Sequence, residues 1–210
     1  MNSTTLAPEV AVPDSLVDTS ALRVEALSRD ASSSVSNSQL AVFAILATMG
    51  MLFAGFASAY LVRREGLDWV QQQLPSVLVW NTVILLASSA TIEISRSALR
   101  QSRSGKAVLW AAVTTILGLA FLGGQFAAWR QLEAEGVYLP SNPYSSFFYM
   151  LTAAHGLHLL GGIVALVYLL SRIVRSTSKQ TVADIFGSCA TYWHFVGGVW
   201  VLLYLLLRSY

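Results

Sequence analysis

Charge is scarce in this chain of 210 residues: Asp, Glu, Lys and Arg together make up 11% of it, whereas 55% is hydrophobic. A soluble domain ordinarily carries about 25% charged residues, so a water-facing surface of the usual kind cannot be assembled here. Cysteine is almost absent too. The single Cys189 excludes an internal disulfide and a cysteine-rich zinc site, and in its apolar setting it reads as a small packing residue. With a net charge of +2 and no basic stripe interleaved with aromatics, nothing points to nucleic acid. No phosphate-cradling glycine loop or nucleophile elbow is present.

The hydrophobic residues are gathered into five runs: approximately Leu40–Val62, Pro75–Ile92, Ala107–Trp129, Ser146–Leu170 and Ala183–Leu207. About 20 helical residues cross a hydrocarbon core of about 30 Å, so each run is long enough to span. Glu93 and Arg96 end the second run early, and its helix is free to continue on the wet side. Tyr60, Trp69, Trp80, Trp110, Trp129, Tyr138 and Tyr144 edge the runs at positions suited to a membrane interface. Ahead of Ser146, Asn142-Pro143 makes a turn, with Ser145 or Ser146 available as helix cap. Residues 1–38 differ in kind, being rich in Ser, Thr, Ala and acids. They read as a weakly structured N-terminal extension, with at most a short helix across Ser20–Arg29. An early basic segment leading into an apolar run is missing, so a cleaved signal peptide is not expected. Residues 39–210 form the membrane domain.

Lys and Arg set the orientation. Arg23, Arg29, Arg96, Arg100, Arg103, Lys106, Arg172, Arg175 and Lys179 fall on one side, against Arg63, Arg64, Arg130 and Arg208 on the other. The positive-inside tendency then places the N-terminus in the cytoplasm and the C-terminus outside. Small residues recur within the runs (Gly50, Gly55, Gly118, Gly123-Gly124, Gly161-Gly162, Gly197-Gly198) and let helix backbones approach closely where lipid offers no hydrophobic drive for association. The expected fold is an all-α membrane protein, a compact bundle of five transmembrane helices.

Polar groups at membrane depth carry most of the functional information, because each is costly there without a partner. Asp and Glu are missing from the middle of every run, which disfavours a proton pump with its own carboxylate relay. The three histidines are the only candidate metal ligands: His155 and His158 share a helix face, and His194 comes from another run. They read either as a three-histidine metal or haem site or as imidazoles hydrogen-bonded between helices. No Cys, Met or carboxylate beside them completes a coordination shell.

Four stretches, in order and at helix-to-helix spacing, resemble subunit III of haem–copper respiratory oxidases. They are FFYMLTAAHGLHLLGG at 147–162, TYWHFVGGVW at 191–200, WNTVILLASS at 80–89, and GQFAAWRQL at 124–132 followed by Gly136-Val137-Tyr138. Five helices fit the shorter bacterial form of that family. The resemblance implies a subunit with no catalytic residue, metal or cofactor of its own, seated in a bacterial cytoplasmic membrane. Haem and copper would belong to partner subunits. The partners would be subunit I in direct contact, subunit II, and small subunits or a larger respiratory assembly. Its implied work is to hold phospholipid, to stabilise the active site of subunit I and to support proton uptake during oxygen reduction. His155, His158, Trp193 and His194 would serve helix packing and lipid surroundings. Arg96, Arg100, Arg172 and Arg175 suit lipid phosphates or act as plain topology charges.

This chain departs from the family pattern where relatives carry acids. Thr48 or Met49 stands in the first run, Gly187 seven residues before His194, and Gly197 after the TYWHFV stretch. Proton handling by those carboxylates does not transfer. Two other readings stand beside subunit III: a related accessory protein, for example beside a nitric oxide reductase, and a small-solute transporter using Asn81, Gln125 and Thr152. The transporter reading finds no broken-helix pair or inverted repeat.

Overall fold

The computed structural model describes residues 37–175 and 179–209. The expected N-terminal extension lies outside them, except that Asn37 and Ser38 already belong to the first helix. Five helices follow in order: α1 Asn37–Arg63, α2 Val77–Arg100, α3 Ser104–Ala134, α4 Pro143–Val174 and α5 Lys179–Arg208. All five are long and apolar enough to cross a membrane, and no strand occurs among the described residues.

The helices overrun their apolar runs by as much as two turns. In oil every backbone N–H and C=O must be bonded within the segment. The helix therefore continues until the headgroup region supplies water, which is why α2 passes Glu93 and Arg96 to end at Arg100. It stops there because Ser102 takes a left-handed conformation, φ 58°, and α3 begins two residues later. The start of α4 corrects the expected serine cap. Asn142 is the cap, its side-chain oxygen accepting from the Ser145 amide at 2.9 Å, with Pro143 in the first helical turn where its missing N–H costs nothing. Asn142→Ala is expected to cost about 1 kcal/mol, seen as a lower Tm in detergent, whereas Ser145→Ala should leave Tm close to the parent's.

α2 packs on α3 and α5, and α4 packs on the same two helices, so the four enclose a common core. α1 makes no comparably close backbone approach among the described residues and is held by side chains instead. Phe53 reaches the rings of His155 and His158 on α4, at 6.4 and 5.5 Å between centroids. Aromatics at one end of the bundle also behave differently from the expected belt. Tyr60 and Tyr144 are buried, and with Trp69 and Phe147 they form an edge-to-face knot tying α1 and the α1–α2 loop to α4. Trp80 and Tyr138 remain exposed, as an interface residue would be.

Candidate functional site

The three histidines do not converge. His155 is fully buried on α4, caged by Phe53, Phe121 and Trp200, the last at 5.0 Å between centroids. Neither of its ring nitrogens has a hydrogen-bond partner among the described residues. His158 turns its Nδ1 onto the Ala154 carbonyl one turn back, at 2.7 Å. His194 sits elsewhere, with Nε2 3.0 Å from Oε1 of Glu93 on α2. Among the described residues, no three His, Cys, Asp or Glu side chains come together in an arrangement that could hold a metal ion.

Glu93 is the residue that sequence reasoning undervalued. Taken as the wet end of the second run, it instead points back into the bundle's length, because helical side chains tilt toward their own N-terminus. It meets a histidine halfway along α5 and draws Arg96 to 3.6 Å. The advance signal was slight: an acid and an arginine three residues apart on one helix, and a histidine on another.

Trp193 is the centre of the core. Its indole lies in a slot floored by two glycines. A Cβ on Gly118 of α3 would stand 2.7 Å from its Cη2, and one on Gly162 of α4 would stand 3.2 Å from its Cε3. Its Nε1 donates to Ser88 Oγ of α2 at 3.0 Å. One side chain of α5 thus touches three other helices. About two turns further on, Trp200 repeats the pattern, donating to Thr82 Oγ1 at 3.0 Å and meeting Phe121 edge-on at 4.7 Å.

The arginines divide. Arg100 and Arg175 are exposed at helix ends, Arg96 accompanies Glu93, and Arg172 lays its guanidinium 5.7 Å from the centre of the Tyr168 ring. At the opposite end of the bundle an open groove of roughly 1180 Å³ runs between α1 and the start of α4. Its walls are smooth and apolar where Gly55, Ala59, Val62 and Phe147 line it, and polar at its mouth, where Arg63, Asp68 and Asn142 stand. Arg63 bridges Asp68, Nη1 to Oδ1 at 2.7 Å, and that hydrogen bond holds the Asp68 carboxyl below its ordinary pKa. The groove mouth thus carries a paired cation and anion.

Buried tryptophans hydrogen-bonded across helices, an apolar groove with a charged mouth and dispersed histidines define a multi-helix membrane protein held by side-chain packing. Comparison with known proteins gives the family. The family profile of cytochrome c oxidase subunit III matches residues 35–210. The probable cytochrome c oxidase subunit 3 of Mycobacterium bovis is 34% identical over 169 residues, which cover 75% of this chain and 80% of the relative. Cytochrome c oxidase subunit 3 of Synechocystis is 31% identical over 176 residues, covering 79% and 72%. The probable quinol oxidase subunit 3 of Staphylococcus saprophyticus is 30% identical over 160 residues, covering 73% and 79%. The chain belongs to the cytochrome c oxidase subunit III family. It is accordingly a component of a haem–copper oxidase complex and associates there with other oxidase subunits.

Proposed function

We propose that this chain is the non-redox subunit of a bacterial haem–copper oxidase, lying in the cytoplasmic membrane with its N-terminus inside, packed on the catalytic subunit and retaining phospholipid beside it. The observation that carries this is where the resemblance's key side chains go. Trp193 locks three helices, His155 is enclosed by rings, and His194 is bound to Glu93, so all three are committed to holding the bundle together. The groove between α1 and α4 supports the lipid part, because its apolar walls suit acyl chains. The excess of Lys and Arg on the α2–α3 and α4–α5 loops supports the orientation.

Support for proton uptake is the part of the family's work that this chain would exert through shape and lipid. Thr48, Met49, Gly187 and Gly197 stand where many relatives have acids. Which electron donor the complex uses follows from other subunits.

Affinity purification of the tagged chain from native membranes is the direct test. The preparation is expected to contain haem and copper in partner chains, together with phospholipid. A complex assembled without this chain is expected to keep its haem spectrum while losing activity faster during turnover. A tagged chain that brings no haem-bearing subunit with it, or that alone holds iron or copper in stoichiometric amount, overturns the reading.

A further inference from the structure

Among the described residues, four of the seven buried side-chain atoms without a hydrogen-bond partner belong to two residues: both carboxamide atoms of Gln125 and both ring nitrogens of His155. The residues are 2% and 0% exposed, so neither bulk water nor another chain reaches them. Their neighbours offer no relief, because the donors around them are already committed. Asn81 Nδ2 donates to the Phe121 carbonyl, Trp200 Nε1 to Thr82 Oγ1, Trp129 Nε1 to Thr152 Oγ1, and the Thr152 hydroxyl to the Phe148 carbonyl.

The two residues share a depth and an interface. Phe121 of α3 meets the His155 ring at 5.7 Å, and Trp129 of α3 reaches Thr152, three residues before His155 on α4. Gln125 stands one turn from both Phe121 and Trp129, on the same stripe of α3. It therefore lies between the two interhelical contacts, within about one turn of His155 in height.

Bare polar atoms are costly in a core and costlier in a bilayer. The rings of Phe53, Phe121 and Trp200 around His155 can accept an N–H only weakly, and they give nothing to the imidazole's lone pair. One imidazole and one carboxamide, with neither acid nor cation at hand, suit no metal ion and no anion. What they need is a small neutral molecule that donates and accepts at once. We propose that the α3–α4 interface holds ordered water at this level, hydrogen-bonded to the Gln125 carboxamide and the His155 imidazole. About one such water per 27 residues is usual in folded proteins, so a site of this kind is ordinary for a chain of this length. It lies wholly inside this chain and does not depend on the oxidase reading.

The test is magnetisation transfer from water by solid-state magnetic resonance, in the full chain isotope-labelled at histidine, glutamine and tryptophan and held in lipid bilayers, with His155→Leu identifying the signal. Water magnetisation is expected to reach the His155 ring before the Trp193 indole, which is equally buried but bonded to Ser88. In Gln125→Met the transfer is expected to fall at least about twofold, since the water loses one of its holders. Arrival at His155 no sooner than at Trp193 means a dry site, and transfer from the Gln125 carboxamide alone means a direct bond; either overturns the proposal. Unfolding of the chain in bicelles gives a reading of opposite sign for the two cases. Around a dry site, Gln125→Met removes two bare polar atoms at nearly constant volume and should stabilise. With water bound it is expected to shift the unfolding equilibrium about three- to tenfold towards the unfolded state. The double variant Gln125→Met/His155→Leu is then less damaged than the two single effects combined, because both lose the same water. Stabilisation by Gln125→Met, or strictly additive effects, overturns the shared site.

Discussion

Trp193→Ala is expected to destabilise the isolated chain by about 3 kcal/mol, measured as equilibrium unfolding in detergent or bicelles. In a soluble core, large-to-small changes of this kind cost about 3–5 kcal/mol, part of it the transfer of apolar surface out of water. Within a bilayer that part shrinks, because lipid is as apolar as the core. The loss of packing remains, and here it is concentrated: the indole is 1% exposed and fills the slot between Gly118 and Gly162. Its hydrogen bond to Ser88 adds about 0.6 kcal/mol, typical of such bonds in membrane bundles. A double-mutant cycle makes the claim specific. Gly118→Ala alone should destabilise, since the new methyl group would press on Cη2 of the tryptophan. In the Trp193→Ala background the same methyl enters the vacated slot and should be neutral or stabilising. Additive effects would show that the two residues do not share a packing site. In the assembled oxidase, Trp193→Ala should weaken subunit retention while leaving the haem spectrum where it was.

How far the sequence disclosed this arrangement depends on whether a feature is local. The five helices were legible because each apolar run is a one-dimensional signal, and family resemblance followed from short stretches that each lie within one helix. The helix ends were less so. Bilayer helices continue into the headgroups after their apolar residues stop, and the cap of α4 lay at Asn142, outside the serines that seemed to offer it. The aromatic belt was misread for a related reason. Tyr60, Trp69 and Tyr144 occur at interface depth, but depth does not say whether a ring faces lipid or a neighbouring helix, and here they face one another. The role of His194 was hidden completely, since its partner Glu93 is 101 residues away on a helix whose rotation no periodicity revealed. Glycines present the same difficulty. Gly118, Gly123, Gly124 and Gly198 look alike in the sequence, and only their surroundings separate a required hydrogen atom from an incidental one.

Gly124 and Gly123 turn that last distinction into a measurement. A Cβ on Gly124 would fall 2.0 Å from Oδ1 and 2.8 Å from Cγ of Asn81, a side chain that is 1% exposed and whose Nδ2 donates to the Phe121 carbonyl at 3.2 Å. Asn81 is short, so it cannot swing aside and keep that bond; α2 and α3 must separate or the carboxamide must move into apolar surroundings. Overpacking costs about 1–3 kcal/mol, with this overlap severe enough for the upper end. The lost hydrogen bond adds about 0.6 kcal/mol, and the better helix propensity of alanine returns about 1 kcal/mol. Gly124→Ala is therefore expected to lose about 3 kcal/mol, and Gly123→Ala, whose Cβ would meet nothing within 4 Å, to lose none. Adding Asn81→Ala should recover most of the loss at position 124, because it removes the group that the methyl displaces. Equal tolerance of alanine at both glycines would mean that α2 and α3 do not approach through Gly124.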